Sequence, residues 1–550
     1  MSAPPMDSLP AVPARAARPA TWRAMLPVAI GGVALGLAFP GYVPVGSALS
    51  HLLPLLAWIG LIPWFLAIGR TPVSGGIRSA LWRDFLSSLA LGMAFELTLN
   101  YWLLAMYPLN FLGLSDGVGA LVVFVCWAGL ASVFGVGIAL AGTLYGQLVR
   151  RYLRADRPRW LLPVVGAAFW MLLEWAQTQG QLAYPWDVLA VSQTPYLPLL
   201  QILPYGGPYL LSGLIVFGGA AMAEARMGER RPLFAAGLLT AAAVAFGFFA
   251  LKPTPVGTIR VAAVQGNFLE TQKWSPGALG DTVDRYLKLS AQAPRAQLVV
   301  WPESAIPMYW NDSGSPLVRT EVSQIRAAFT RPGRYLLSGA LFFRPRPTGG
   351  YPNLYNATTV VGPGWDGWQW EAKRHLVPFG EFMPFRGILP DVLAKLNVLT
   401  HDLTPGRHAH PFALPFATVG TGVCFDSIFP RTLAADVQHG ATLLAIVTND
   451  AWYKDTAAPH QSFAQSILRA VENRRFLVRA ANTGVSGVID PYGRVLVRTR
   501  TFVPAVATAS VAALTGITPY TRIGDWPVLM AAMLVAFALA WSLVSDRSRA

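Results

Sequence analysis

The chain has 550 residues, 53% of them hydrophobic and only 13% charged, with 43 Lys and Arg against 28 Asp and Glu, a formal net charge of +15. A soluble protein carries about 25% charged residues, so disorder and a single ordinary soluble domain are both excluded. Two cysteines exclude a disulfide scaffold. What remains is a membrane protein with a soluble part, and composition alone leaves nucleic acid, anionic lipid and membrane topology open as reasons for the basic excess.

The apolar residues come in runs. Seven lie in the first half: Met25 to Phe39, Leu52 to Ile68, Phe85 to Met106, Val118 to Val149, Trp160 to Thr178, Leu203 to Ala223 and Leu233 to Leu251. An eighth, Trp526 to Val544, lies near the end. Their lengths cluster around the ~20 residues that carry a helix across ~30 Å of hydrocarbon.

The arginines orient these runs. Arg15, Arg18 and Arg23 precede the first, Arg70, Arg78 and Arg83 follow the second, and Arg150, Arg151, Arg154, Arg157 and Arg159 follow the fourth. Arg226, Arg230 and Arg231 follow the sixth, and Arg547 and Arg549 the eighth. The alternate connections, Pro40 to His51, Tyr107 to Gly117 and Gln179 to Ile202, hold no Lys or Arg. The positive-inside rule therefore places both termini in the cytoplasm and the segment between runs seven and eight on the other side, the periplasm of a bacterium. No A-x-A site follows the first run, which favours a retained span over a cleaved signal peptide. The expected division is a cytoplasmic tail over 1–23, seven transmembrane helices over 24–251, a periplasmic domain over 256–515, an eighth helix over 526–544 and a second cytoplasmic tail over 545–550. Topology accounts for much of the basic excess, so a nucleic-acid partner is unnecessary.

Between Val256 and Thr515 the pattern turns to short β-rich runs. Strands are expected at Ile259 to Gln265, Gln297 to Trp301, Tyr335 to Phe343, Asn356 to Val361, Ala417 to Val423, Leu443 to Thr448, Phe476 to Ala481 and Val485 to Asp490. Helices are expected at Gly280 to Ala291, Thr320 to Phe329 and Ser462 to Asn473. This alternation predicts a layered α/β domain.

Three strand-end segments carry reactive groups. Cys424 ends the run Ala417 to Val423, Glu303 follows Leu298-Val-Val-Trp-Pro, and Lys373 and Glu381 flank a Pro/Gly turn. Singly these fit a core cysteine, a helix cap and a surface ion pair. Together they supply thiol acyl transfer: a thiol of pKa ~8.5 needs a base or a nearby cation, which Glu303 and Lys373 offer. Lys373 also suits the oxyanion of a tetrahedral intermediate. Cys126, inside the fourth apolar run, behaves as a small hydrophobe.

Trp301-Pro-Glu303, Lys373 with Val377-Pro-Phe-Gly-Glu381, and Cys424 resemble the Glu-Lys-Cys triad of the nitrilase (carbon–nitrogen hydrolase) superfamily. The flanking spans narrow the resemblance to its membrane branch, the bacterial apolipoprotein N-acyltransferases. Gln265-Gly-Asn267, Gln272-Lys-Trp274, Thr448-Asn-Asp-Ala-Trp452, Arg469-Ala-Val-Glu472 and Arg479-Ala-Ala-Asn-Thr-Gly484 are similar to further segments of that family. So are Glu174-Trp175, Tyr184-Pro-Trp186 and Ser192-Gln193 in the connection between spans five and six. Phe425 and Asp426 stand where the family usually has Tyr and Glu, and Tyr453-Lys454 and His460-Gln461 also depart from its pattern.

The resemblance implies a polytopic eight-span helical membrane protein carrying a soluble nitrilase-like α-β-β-α sandwich. It implies an acyltransferase of the inner membrane with no cofactor and no metal. Cys424 would be the nucleophile, Glu303 the general base, Lys373 the oxyanion stabiliser and Glu381 a supporting carboxylate, with Trp274, Asn356, Phe425 and Asp426 towards substrate. Asn356 equally fits a strand-edge amide, and Trp274 a membrane-facing anchor. The reaction implied is ping-pong: a fatty acyl chain leaves the sn-1 position of a phospholipid, phosphatidylethanolamine preferred, for a cysteine thioester, then joins the α-amine of a diacylglyceryl-cysteine on an apolipoprotein. A membrane-anchored amidase hydrolysing a small molecule would share the triad. Glu96, within the third span, is expected to make an interhelical hydrogen bond.

Overall fold

The computed structural model describes residues 21–70, 76–109, 113–269, 273, 278–347, 351–387 and 401–547, with the side chains of 21–24 and 543–547 left aside. Helices occupy all eight apolar runs: α1 (Thr21–Leu37), α2 (Ala48–Ala67), α3 (Gly76–Leu99), α4 (Asp116–Arg154), α5 (Leu162–Ala176), α6 (Leu203–Arg226), α7 (Arg231–Ala250) and, at the far end of the chain, Trp526–Arg547. Four of them, α2, α4, α6 and α7, are long and apolar enough to cross a bilayer. Two of the others fall short for visible reasons. Helix α3 is diluted by Arg78, Arg83, Asp84 and Glu96, and α5 has 15 residues, a rise of only about 22 Å. Helix α2 spans the needed length although one 3-10 turn, Leu53–Leu55, breaks it and it holds Pro54 and Pro63, whose missing N–H groups interrupt the helical ladder.

Burial sorts the bundle. Leu211, Ile215, Val216 and Ala221 of α6 are fully buried, whereas Phe234, Leu238 and Phe249 of α7 are more than 70% exposed. A fully apolar exposed face is what lipid contact selects. At one end, Arg70 and Arg159 both pair with Glu224, and Arg150 pairs with Asp84. At the other end the connections without Lys or Arg meet the soluble part: Lys454 donates to Tyr107 O, Phe385 N to Gln181 Oε1 at 2.7 Å, and Trp186 Nε1 to Gln461 Oε1 at 2.8 Å.

The soluble part contains two sheets. Strands β1 (Ile259–Gln265), β2 (Leu298–Val300), β3 (Ile306–Tyr309), β4 (Tyr335–Arg344), β5 (Asn353–Gly362), β6 (Trp365–Ala372) and the last strand, Ala505–Val511, form one sheet. The second comprises β7 (Phe412–Leu414), β8 (Ala417–Val423), β9 (Leu443–Thr448), β10 (Leu477–Ala481), β11 (Gly487–Ile489) and β12 (Val495–Arg498), in the order β12-β11-β10-β9-β8-β7. Val261, Leu298 and Leu337 of the first sheet meet Val419, Val447 and Val478 of the second in one core. Helices α8 (Ala278–Ala291) and α9 (Pro316–Ala328) cover the outer face of the first sheet. Helices α10 (Pro430–Gln438) and α11 (Ala458–Asn473) cover the second. The result is the expected α-β-β-α sandwich, a membrane-embedded helical region joined to a mixed α/β domain.

Sequence periodicity found the central strands and missed β3, β6, β7, β12, Ala505–Val511 and α10. These are short, or alternate with exposed positions: β12 is exposed or half-exposed throughout, so no apolar period marks it. The join to the membrane is intimate. Helix α6 kinks at Gly207, where φ is +65°, and a Cβ there would lie 2.2 Å from the ring of Tyr520. Only glycine serves at such a bend.

Candidate active site

Each reactive side chain is delivered by a strand end. Trp301 is fully buried, stacked on Tyr286 at 5.1 Å, with its Nε1 donating to Ser290 Oγ at 2.8 Å. That anchor and Pro302 fix the backbone from which Glu303 projects. Lys373 directly follows β6, and its N–H donates to Asn356 O at 2.8 Å, so strand pairing sets the two side by side. Cys424 directly follows β8, with φ of +47° at the start of the 3-10 turn Cys424–Ile428. A left-handed conformation is costly for a residue with a Cβ and is retained where the surroundings enforce it.

Of the four groups expected to act together, Lys373, Glu303 and Glu381 are in direct contact. Lys373 Nζ lies 2.9 Å from a Glu381 carboxylate oxygen and 3.5 Å from Glu303 Oε1. Asn356 Nδ2 donates to Glu303 Oε1 at 2.7 Å and to Glu381 Oε1 at 3.0 Å. Glu381 Oε2 accepts from Val377 N at 2.8 Å, closing the Pro/Gly turn on itself. Burial works against the charge on Lys373, but Glu381 and Glu303, with Cys424 beyond them, more than offset it and hold its pKa above the ordinary lysine value. Burial pushes the Cys424 thiol up, the Glu303 carboxylate adds to the rise, and Lys373 opposes it. The resting group is therefore a thiol, whose proton must go to a base during attack.

The remaining expected residues fall in different places. Phe425 is buried, its ring 6.1 Å from that of Tyr184 and 5.4 Å from that of Phe429. Asp426 is 1% exposed, and its oxygens accept from Val423 N, Arg374 N and His375 N, with His375 Nδ1 at 3.0 Å. Burial opposes its charge, yet His375 and Arg374 hold its carboxyl below the usual range. Its acceptor sites are spent on joining the cysteine turn to the lysine loop. Asn356 likewise spends its Nδ2 on the two glutamates. Trp274 lies outside the described residues. Among the described residues, no group of three His, Cys, Asp or Glu side chains is placed to hold a metal ion.

Two contributors carried no expected role. Asn449 N donates to Glu303 Oε2 at 2.8 Å, and the buried Lys273 Nζ donates to Glu303 O at 3.2 Å. Asn449 follows the apolar strand β9 just as Cys424 follows β8, which is the signal that marks it. In the membrane part, Glu174 accepts from Trp170 Nε1 and Leu189 N, and Gln193 joins Trp58 to Pro54 O. These are struts for the connection that carries Trp186. Glu96 bonds to Asn100 at 2.9 Å, one turn on, and Tyr184 Oη donates to Asn100 at 2.7 Å. The link thus runs to the span-five connection rather than to a neighbouring helix. Cys126 is exposed on α4.

The matches to known proteins follow the same two-part division. Residues 260–520 match the carbon-nitrogen hydrolase family, and residues 31–221 match the N-terminal domain of apolipoprotein N-acyltransferases. The apolipoprotein N-acyltransferase of Gloeobacter violaceus is 35% identical over 92% of this chain and 92% of its own. This chain belongs to the apolipoprotein N-acyltransferase family. Those of Geobacter metallireducens and Methylococcus capsulatus are each 32% identical, over 94% and 92% of this chain and 95% and 94% of their own. An amidase from Nesterenkonia sp. of known structure is 18% identical, covering 50% of this chain and 97% of its own, with a TM-score of 0.35.

Proposed function

We propose that this chain is an acyltransferase that moves a fatty acyl group from the sn-1 position of a phospholipid, phosphatidylethanolamine preferred, to the α-amine of a diacylglyceryl-cysteine on an apolipoprotein. Cys424 Sγ attacks the ester carbonyl while Glu303 takes the thiol proton, and Lys373 faces the oxyanion. Collapse of the tetrahedral intermediate breaks the ester C–O bond, and Glu303 returns the proton to the departing lysophospholipid oxygen. The neutral α-amine then attacks the thioester, Glu303 takes its proton, and the departing Cys424 thiolate recovers it. Glu381 and Asn356 hold Lys373 and Glu303 in register throughout. Preorganised charge of this kind stabilises an oxyanion without reorganisation cost, and excluding water protects the thioester.

The single observation that carries this reading is that Glu303, Lys373 and Cys424, delivered from the ends of β2, β6 and β8 in two different sheets, are brought to one place in a chain of this family. The eight-crossing topology, with both termini cytoplasmic and the catalytic domain periplasmic in the inner membrane, is supported by sidedness. The arginine-bearing ends pair among themselves, and the connections lacking Lys and Arg touch the sandwich. The test is incubation of the purified protein with labelled phosphatidylethanolamine and a diacylated lipopeptide. The expected result is a mass increase of one fatty acyl group on Cys424, followed by N-acylated peptide. Free fatty acid or ammonia without acylated peptide would instead support the membrane-anchored amidase. Full transfer by Cys424→Ala would remove the nucleophile assignment.

A further inference from the structure

The ends of β8 and β9 lie side by side in parallel register, with Val423 opposite Val447, so the next residues, Cys424 and Thr448, are neighbours. Thr448 is fully buried, and the register sets it directly beside Cys424 at the adjoining strand end. Its hydroxyl donates to Asp450 Oδ1 at 2.9 Å. A threonine hydroxyl has one proton to give. With that proton on Asp450, only a lone pair is left for the sulfur, which suits a thiol and not a thiolate.

Asp450 does not depend on Thr448. Arg479 Nη2 stands 3.2 Å from its Oδ2 and 3.4 Å from its Oδ1, and Ser462 and Ser466 hold that guanidinium in turn. Arg479 and Asp450 are both fully buried. Behind the carboxylate lies Gly484, where a Cβ would fall 2.0 Å from Asp450 Oδ2. The ion pair is therefore fixed in place, and the hydroxyl between it and the sulfur is the part free to rotate.

We propose that Thr448 is a further catalytic residue, whose hydroxyl turns from Asp450 to the Cys424 sulfur as the thiol proton leaves for Glu303. No proton enters or leaves Thr448, and Arg479 keeps Asp450 neutralised during the turn. This role rests on Cys424 being the nucleophile. It gives the nascent thiolate a charge-assisted hydrogen bond at a site where burial otherwise opposes its charge.

The test compares the full-length protein with Thr448→Val and Thr448→Ser in detergent. Alkylation by iodoacetamide is followed on the Cys424 peptide by mass spectrometry, with the Cys126 peptide as reference, alongside acyl-enzyme formation from phosphatidylethanolamine. T448V should slow both about tenfold at unchanged KM for the phospholipid, and T448S should restore both to within about twofold. Parental rates in T448V would overturn the proposal. So would a T448S variant as slow as T448V, because the methyl group rather than the hydroxyl would then matter. Should T448V not be recovered folded, Thr448→Ala replaces it in the same comparison. Label absent from Cys424 in the parent would overturn the nucleophile assignment, whereas label on Cys424 at parental rate in T448V overturns the Thr448 role alone.

Discussion

Asn356 Nδ2 donates to Glu303 Oε1 at 2.7 Å, and the same nitrogen reaches Glu381 at 3.0 Å. One amide thus spaces two carboxylates that share one lysine. Asn356→Asp removes both donated bonds and adds a third carboxyl group. Hydrogen bonds to charged groups contribute about 1.5–3 kcal/mol, so acyl-enzyme formation should fall by roughly 10- to 100-fold. Single-turnover measurement with labelled phospholipid checks it, and an unchanged rate would show that the amide is dispensable.

Asp426 is predicted to act through position. Asp426→Ala strands the buried N–H groups of Val423, Arg374 and His375, at about 1–3 kcal/mol for each buried unsatisfied group. We expect a lower Tm together with a loss of kcat, while KM for phospholipid changes little. A large KM effect with intact kcat would return Asp426 to the substrate-binding role expected from sequence.

Glu371 predicts a pH dependence of stability. Burial pushes its carboxyl up to about 7 from an ordinary value of 4.5, and burial pushes Asp436 up to about 6 from 3.8. The folded form holds these protons more tightly than the unfolded chain, so stability rises as pH falls from above 7 towards 4.5. Glu371→Gln should therefore raise Tm at pH 8, by up to ~3 kcal/mol of stability, and flatten the profile between pH 5 and 8. Parallel Tm–pH curves for parent and variant would contradict this.

Gly207→Ala should weaken the join between α6 and the sandwich. The variant combines a left-handed φ, about 1–2 kcal/mol for a residue with a Cβ, with overlap on the fully buried Tyr520. Detergent thermal shift is expected to show a drop of several degrees. An unaltered Tm would mean that the kink relaxes freely.

Glu303 and Cys424 stand out in the sequence because each follows an apolar strand, and α/β sheets collect chemistry at the C-terminal ends of their strands; Lys373 follows β6, a largely exposed strand, and stands out only by the Pro/Gly turn after it. The place of Asp426 is hidden for an equally physical reason. A carboxylate beside the nucleophile looks the same in sequence whether its oxygens face substrate or are spent on the three backbone N–H groups that only tertiary structure brings together. Asn449 acts through its backbone N–H, and only its place directly after the apolar strand β9 marks it in the sequence. The third and fifth apolar runs were found as helices although α3 carries buried Asp84 and Glu96. The partners that make such burial tolerable, Arg150 and Asn100, are visible only once the helices pack.

Helix α11 is buried at every position but His460, because the second sheet covers one flank and the membrane helices the other. Phe463, Ile467 and Val471 share a continuous apolar core with Leu189, Val191 and Leu200 of the bundle, and Gln461 and Gln465 are engaged by Trp186. A fragment cut at the compositional boundary near Val256 would therefore bare an apolar wall studded with unpaired amides. Reactivity and lipid access are built into one cooperative body, so loosening the bundle should disturb the sulfur chemistry as directly as altering the sandwich.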